Sequence, residues 1–364
     1  MYLSSLSLLN FKNISQSDLA LSRRVNCFLG YNGQGKTNLL DAIYHLSYTK
    51  SFFNSIDSQN VMFEESLYVI QGEVNNEQEQ YNLYCGLKKG EKKIFKKNKK
   101  IYKKLADHIG LFPVVMITPY DINLVLEGSE TRRRFFDALI AQFDKNYLLG
   151  LLQYNKLLKQ RNALLKTNSS SIDLLEIYEE QMVEKAQEIH QSRKTFIREF
   201  VPIFDKFYQD ISSNKEEVNL NHHSSLYENS MKELFIRNRT KDQLIGHTST
   251  GIHRDDFLFS IGGNQLKKFG SQGQQKTYLI ALKLAKFEYI KLKKNITPVL
   301  LLDDIFDKLD DHRVGYILNL IQKNNLGQTF ITDTSKEKIP NILSDLKIDS
   351  NLFWVENGNS TKIN

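Results

Sequence analysis

Apolar and polar positions along the chain fall into three regimes. Over roughly the first third the pattern is short and close to alternating. Residues 2–9 read as a strand, and Asp18–Ala20 begins a segment that leads into the apolar run Val25, Cys27, Phe28, Leu29. Tyr68–Val74 and Tyr81–Leu87 predict strands joined by an Asn-rich turn at 75–76. Ile94–Lys96 and Ile101–Lys103 flank a polar turn at Asn98, so a hairpin is expected there. Phe112–Thr118 is a continuous apolar run ended by Pro119, as a buried strand requires. One stretch breaks the alternation: Leu39, Leu40, Ala42, Ile43 and Leu46 have helical spacing.

From Thr131 the spacing changes to three and four. Phe135, Phe136, Leu139, Ile140, Tyr147, Leu151, Leu158 and Leu165 belong to a series that predicts one long helix or two in line. After a polar break at Asn168–Ser171, a series from Leu174 through Met182, Ile189 and Phe196 to Phe200 predicts a second, stopped near Pro202. The two read as an antiparallel pair, and residues 212–230 read as polar loop. From about residue 250 the third regime returns to β/α character. It has a strand at Phe257–Ile261, a helix at Thr277–Ile290, a very apolar strand at Pro298–Leu302, a helix at 311–323 and a strand at Gln328–Thr332. The expectation is an α/β domain of residues 1–118 plus 247–364, with a helical lobe of residues 119–246 inserted into it.

The chemistry sits at the ends of two of these strands. Gly30, Tyr31, Asn32, Gly33, Gln34, Gly35, Lys36 and Thr37 read GYNGQGKT, between a predicted strand and a predicted helix. That is the pattern and the context of a phosphate-binding loop. The glycines let the backbone approach an anion, and the amides at the helix N-terminus point at it. Lys36 would reach the β- and γ-phosphates of a nucleoside triphosphate, and the Thr37 hydroxyl would ligate Mg²⁺. Residues 298–304 read PVLLLDD, which puts two carboxylates at the C-terminal end of a central parallel strand, where open α/β sheets bind ligands. Asp303 is the candidate second Mg²⁺ ligand and Asp304 the candidate base that orients or deprotonates an attacking water. Between these motifs, Ser271, Gln272, Gly273 and Gln274 open a helix, with Ser271 a good N-cap.

Charge adds a partner. The 364-residue chain carries +7, yet residues 88–104 hold ten lysines and one glutamate, so the basic signal is one segment and the remainder is slightly acidic. Lys92, Lys93, Lys96, Lys97, Lys99 and Lys100, with Ile94, Phe95, Ile101 and Tyr102 interleaved, are candidate contacts to the phosphates of an anionic partner that charge alone does not name. Arg132–Arg134 are expected to pair with acidic residues inside the helical lobe, and His253–Asp256 to form a structural polar network. The two cysteines give no disulfide framework, no apolar run approaches a membrane span, and the N-terminus lacks the features of a signal peptide. A cytoplasmic location is the expectation.

These motifs carry a resemblance. Ser271, Gly273 and Gln274 match the signature of ABC ATPases, with Gln272 in place of its first glycine, and Leu309-Asp310 fits the D-loop position. Asn10-Phe11-Lys12-Asn13, Pro119-Tyr120-Asp121, Arg132-Arg133-Arg134-Phe135-Phe136-Asp137, Gln160–Leu165 and Gly251–Asp256 resemble motifs of the RecF family, relatives of the heads of SMC and Rad50 proteins. The resemblance spans nearly the whole chain. It implies an ABC-type P-loop ATPase head with a mixed sheet in lobe I and a helical lobe II. It implies ATP and Mg²⁺ as cofactors, with Ser271–Gln274 acting in trans on the nucleotide of a second copy in an ATP-dependent homodimer. A weak, DNA-stimulated ATPase is implied, acting with RecO- and RecR-like partners at gapped DNA to load RecA and support the SOS response. An ABC-transporter subunit is disfavoured by the 234 residues between Thr37 and Ser271, and a structural SMC-like protein by the shortness of the helical pair. Departures are Asp304 where most ABC ATPases have Glu, Asp307-Lys308 before Leu309, and the absence of a switch histidine from Thr332-Asp333-Thr334.

Overall fold

The first regime folds with the later part of the third, and the second folds with the beginning of the third. The computed structural model describes residues 1–363 other than 78, 168–171, 213–215, 307–308 and 324. They form one unit of Met1–Asp121 with Lys286–Asn364 and another of Ile122–Ala285.

In the first unit, strands β1 (Tyr2–Phe11), β2 (Ile14–Ala20), β4 (Leu67–Asn75), β5 (Gln80–Lys88), β6 (Ile94–Lys97) and β7 (Lys100–Ile101) form an antiparallel sheet in the order β2-β1-β4-β5-β6-β7. Alternation decides its faces. On β4, Tyr68, Ile70 and Val74 are buried, and Gln71 faces outward. Asn98 and Lys99 turn the β6–β7 hairpin with φ of +48° and +68°, the twist that a two-residue turn between antiparallel strands needs.

The second sheet of this unit contains β3 (Val25–Leu29), β8 (Val114–Ile117), β12 (Val299–Leu302), β13 (Thr329–Asp333), β14 (Ser350–Glu356) and β15 (Asn359–Lys362), in the order β15-β14-β3-β13-β12-β8. All of its pairings are parallel except β14–β15. Every residue of β3, β8, β12 and β13 is buried, which is why these segments read as unbroken runs. Helix α1 (Lys36–Tyr48) touches β1 and β4 of one sheet and β8 and β13 of the other, and ten of its thirteen residues are buried. The Asp18–Ala20 segment does not return into β3. It belongs to β2, which pairs with β1 in the antiparallel sheet. A buried amide ties the chain ends: Gln328 donates from Nε2 to the Leu3 and Ser22 carbonyls and accepts the Leu3 N–H, each at 2.8 Å.

The other unit holds α3 (Ser129–Ile140), α4 (Lys145–Leu165), α5 (Ile172–Ser212), α6 (Met231–Ile245) and a small sheet in the order β11-β10-β9. Helices α4 and α5 run antiparallel: Tyr147 meets Arg193, while Arg161 meets Glu179. Two expectations are corrected here. Helix α5 runs through Pro202 instead of stopping at it. An interior proline costs about 3 kcal/mol, but Phe196, Phe200, Phe204, Tyr208 and Ile211 continue one buried face across the break. Residues 212–230 also contain β9 (Val218–His223), whose Val218, Leu220 and His222 face inward at the strand period. It pairs with β10 (Asp256–Ile261), and β11 (Asn264–Gln265) completes the sheet. That pairing keeps residues 247–285 in this unit, so the boundary expected at 246/247 falls inside helix α8 (Gln272–Lys294), after Ala285.

Two buried arginines organise this unit. Arg161, fully buried, bridges Glu179, Asp242 and Thr248 at 2.8 Å. Arg193 bridges Asp137, Asp255 and the Ile252 carbonyl, and Asp255 also meets His222 at 3.1 Å. Arg132 forms a bidentate pair with Asp256 at 2.8 and 2.9 Å, and Arg134 pairs with Glu130. The arginine triplet and the His253–Asp256 segment are thus occupied inside their own unit.

The first unit also buries His108, whose Nε2 lies 2.7 Å from the Leu46 carbonyl and Nδ1 3.3 Å from the Tyr102 hydroxyl. Burial lowers its pKa to about 4. The unfolded chain therefore takes up this proton near pH 6.5 and the folded chain only near 4, so stability is present above 6.5 and is lost as the pH falls. His108→Gln is expected to reduce the loss of unfolding free energy between pH 6.5 and 4 by about 3 kcal/mol. Urea titrations of both proteins across that window measure it; parallel pH profiles would refute it.

Candidate phosphate-binding site

The loop Gly30–Thr37 joins the C-terminal end of β3 to the N-terminus of α1. It is braced from outside. The Asn357–Gly358 turn between β14 and β15 donates to it, from Asn357 N to Gln34 Oε1 at 2.6 Å and from Gly358 N to the Gln34 carbonyl at 3.0 Å. A Cβ on Gly30 would stand 2.3 Å from the Val355 carbonyl oxygen, so only glycine lets the loop pass β14. Gly35 caps α1 with φ of +113°, and a Cβ there would press on Asn13 at 3.0 Å. Asn13 accepts from Asn38 at 2.7 Å and donates to the Gly33 carbonyl at 3.4 Å. The loop is therefore held open by its neighbours and does not collapse on itself, which is the preorganisation that an anion site needs.

Lys36 is buried and donates from Nζ to the Gly30 carbonyl at 2.8 Å and to Tyr31 at 3.2 Å. The Thr37 hydroxyl donates to Asp303 Oδ1 at 2.8 Å, closing the gap between the ends of β3 and β12. The Thr332 hydroxyl, on β13 between those strands, lies 3.0 Å from the same oxygen and 3.3 Å from Asp304 Oδ1. It also accepts the Asp304 N–H at 2.8 Å. Thr332 has one proton for two carboxylates, and the nearer is Asp303. Asp304 is held at φ of +45°, a left-handed conformation that costs a non-glycine residue about 1 kcal/mol. Burial raises the Asp303 pKa to about 6; the two hydroxyl bonds and Lys36 oppose the rise, and the Asp304 charge adds to it.

Gly33, Gly35, Lys36, Thr37, Asp303 and Asp304 line a cleft of about 640 Å³, completed by Lys12, Phe53, Tyr120 and Thr334. Lys12 pairs with buried Asp41 at 2.6 Å and sits 5.1 Å from the Phe53 ring centre; Phe53 meets Tyr120 edge-on. The cleft offers backbone amides and two lysines at one end and aromatic rings nearby, a setting for a phosphorylated ligand. As a pair of oxygen donors, Thr37 and Asp303 fit a divalent cation. Their 2.8 Å separation is close to that of adjacent ligands of octahedral Mg²⁺.

Other candidate residues lie elsewhere. Ser271–Gln274 belong to the Ile122–Ala285 unit. There Ser271 and Gln274 form a reciprocal cap, Gln274 N to Ser271 Oγ at 3.2 Å and Ser271 N to Gln274 Oε1 at 2.6 Å, and Gln274 also reaches Glu216. Asp310 caps α9 (Asp311–Gln322) by accepting the Arg313 N–H at 3.0 Å. Asp307 and Lys308 lie outside the described residues. The lysines divide. Lys93 is half-buried against Asp57 and the Thr49 carbonyl, and Lys97 pairs with Glu79, while Lys92, Lys99 and Lys100 are exposed. Thr332, Asn38 and the Asn357–Gly358 turn escape sequence reasoning. Only the last carried a signal, the Asn-Gly pair that marks a hairpin.

A P-loop facing an Asp pair across a parallel sheet, with an antiparallel sheet over α1, defines the head of an ABC-type ATPase. The chain matches the family described as RecF/RecN/SMC N terminal domain over residues 2–349. An archaeal Smc head from Pyrococcus furiosus shares the fold at 16% identity, with a TM-score of 0.58 over 100% of this chain and 96% of that one. Resemblance at the level of one family is much stronger. The chain is 47% identical to the DNA replication and repair protein RecF of Phocaeicola vulgatus, covering 100% of this chain and 98% of that protein. A solved structure of the recombination mediator protein RecF with ATP, in the RecFOR pathway, matches at 32% identity and a TM-score of 0.91, over 100% and 98%. The chain belongs to the RecF family of DNA replication and repair proteins.

Asp303 supplies a measurable signature. Its carboxyl is neutral in both states at low pH. Between about 4 and 6 the unfolded chain ionises while the folded chain resists, so the cost accrues over that window and is complete above it. In buffer without nucleotide or divalent cation, Asp303→Asn is expected to stabilise the protein by up to about 3 kcal/mol at pH 8 and by little at pH 4. Thermal unfolding of both proteins at the two pH values decides it; a destabilised variant at pH 8 would show that Asp303 is not held against its charge.

Proposed function

We propose that this chain is an ATP-dependent DNA-binding switch of recombinational repair. It would bind ATP in the cleft, dimerise on gapped DNA and dissociate after slow hydrolysis. The observation that carries this reading is the bond from Thr37 to Asp303. It brings a phosphate loop and a carboxylate pair from opposite ends of the chain to one point on a 640 Å³ cleft. The ATP-bound relative supports the choice of nucleotide.

Each residue has a role. The loop amides and Lys36 bind the phosphates, and Lys36 exchanges its bonds to Gly30 and Tyr31 for phosphate oxygens. Thr37 and Asp303 would hold Mg²⁺, which when bound neutralises charge between the β- and γ-phosphates. Asp304 orients or deprotonates the attacking water. Its side chain is shorter than glutamate and lies near the Thr332 hydroxyl, which favours slow turnover and so a long-lived ATP state. Ser271–Gln274 present amides and a hydroxyl at a helix N-terminus, suited to the γ-phosphate of a second copy. Asp310, the cap of α9, would take the D-loop position beside that junction. RecO- and RecR-like partners would use the DNA-bound dimer to direct RecA onto gaps. None of the described helices is long and apolar enough to cross a membrane, and the cytoplasm is the proposed location.

Sedimentation of the full chain with and without Mg-ATP and a gapped duplex tests the switch. The wild type is expected to dimerise only with both. Lys36→Arg and Ser271→Arg are expected to stay monomeric. Ser271→Arg should still bind ATP, which would put Ser271 to work on the other subunit's nucleotide. Losing the cap costs only about 1 kcal/mol, so a folded variant is expected, and Ser271→Thr should keep both cap and dimer. A wild type that remains monomeric at saturating ATP and ignores DNA would overturn the reading.

A further inference from the structure

A second depression, of about 360 Å³, lies on the antiparallel sheet of the first unit, among Gln71, Asn82, Tyr84, Lys96, Asn98 and Lys99. It is on the sheet's outer face. Tyr84 pairs across β5–β4 with Gln71 and across β5–β6 with Lys96, so the three stand in one cross-strand row. The Tyr84 ring lies along its own strand over Gly86. A Cβ on Gly86 would come within 2.6 Å of the Tyr84 hydroxyl and 3.0 Å of two ring carbons. Glycine at 86 thus lets an aromatic ring lie against the sheet, with Lys96 Nζ 4.7 Å from the ring centre.

The surroundings are those of a nucleotide. A ring lying on a sheet is a stacking surface for an unpaired base. Gln71 and Asn82 side-chain amides can meet a base edge, and Asn98 turns the hairpin beside them with its Oδ1 accepting the Asn82 N–H at 2.8 Å. Of the cations, Lys96 lies over the Tyr84 ring and would move to a phosphate as a base takes its place there. Lys93 and Lys97 are engaged with Asp57 and Glu79. Lys96 and Lys99 form no ion pair with a carboxylate among the described residues, and both line the depression. A duplex, whose bases are stacked on each other, has no free base face for Tyr84.

We infer that single-stranded DNA crosses this face, with one base stacked on Tyr84 and the adjoining phosphates met by Lys96 and Lys99. This rests on the DNA-binding reading above and gives the single strand a position.

The test measures binding of the full chain to a fluorescent oligothymidylate and to a blunt duplex of equal length. Tyr84→Ala is expected to weaken oligothymidylate binding by about 5- to 150-fold, the range for loss of one base–aromatic stack, and to leave duplex binding unchanged. Tyr84→Phe should stay within about twofold, because the π-face is kept. Gly86→Ala is the more telling variant. It removes no contact group but lifts the ring, and it should weaken the single strand as Tyr84→Ala does. Lys96→Ala with Lys99→Ala should flatten the salt dependence by about 0.7 per phosphate contact. An iododeoxyuridine oligonucleotide should photo-cross-link to the peptide containing Tyr84. Equal oligothymidylate affinities of the wild type, Tyr84→Ala and Gly86→Ala, or cross-links confined to other peptides, would overturn the proposal. If the wild type binds duplex but not the single strand, this site falls and the DNA-binding reading stands. If it binds neither, both fall.

Discussion

The structure depends on a parallel sheet that the chain can complete only by returning to its own beginning. Strand β3 comes from the first 30 residues and pairs on both sides with strands from the last 40, β13 and β14. Locally, β3 is anchored by the Asn26 side chain on the Ser22 backbone at 2.7 and 2.9 Å, but its pairing comes from those distant strands. Its register is fixed by those neighbours, and the Gln328 amide, bonded to Leu3 and Ser22, joins the two ends away from the ladder. The phosphate loop inherits its geometry from this closure. Thr37 reaches Asp303 because β3 and β12 flank β13, and Gly30 threads past Val355 because β14 lies on the other side. Such pairings close long loops, whose entropy must be overcome before any contact is made. The site therefore exists only when the whole first unit has folded.

This explains which parts were legible in the sequence. The phosphate loop was readable because its chemistry is local: glycines, lysine and threonine at fixed spacing after an apolar run. The strand ending in Asp303-Asp304 was readable because a strand buried on both faces leaves a continuous apolar signature. Thr332 was not, since its importance comes from lying on the strand between the other two, and strand order is not written in any segment. Helix α5 was misjudged at Pro202 because a local rule was applied where packing of Phe200, Phe204 and Tyr208 overrides it. Strand β9 hid in a polar stretch because its inward positions include a histidine, His222, paired to Asp255. The lysine segment showed its charge but not its division, because a count cannot tell Lys97, held by Glu79, from the exposed Lys99.

The second unit solves a different problem. Buried arginines stand among the apolar residues on the inner faces of its helices. Arg161 and Arg193 each touch several acidic or carbonyl groups drawn from segments far apart in sequence. Removing one partner of such a network strands the others without water, at about 3–5 kcal/mol. A network that is expensive to break and directional in its bonds fixes one arrangement of helices, which an all-leucine core would not. The motifs Gln160–Leu165 and Gly251–Asp256 fall on this network, which gives their polar groups an architectural role.

The cleft itself is built under tension. Asp303 is buried where its charge is disfavoured, and Asp304 is held in a left-handed backbone conformation. Either feature alone is a defect by the rules that govern the rest of the unit. Together they make the cleft less stable than an apolar or amide-lined one would be. Any ligand that brings positive charge to Asp303 relieves part of that cost, and this relief adds to its binding free energy. A cleft strained in this way widens the gap between free and bound forms without adding a contact. For the proposed switch, that gap is the quantity that matters, because a ligand can bias a two-state element only by its differential affinity for the two states.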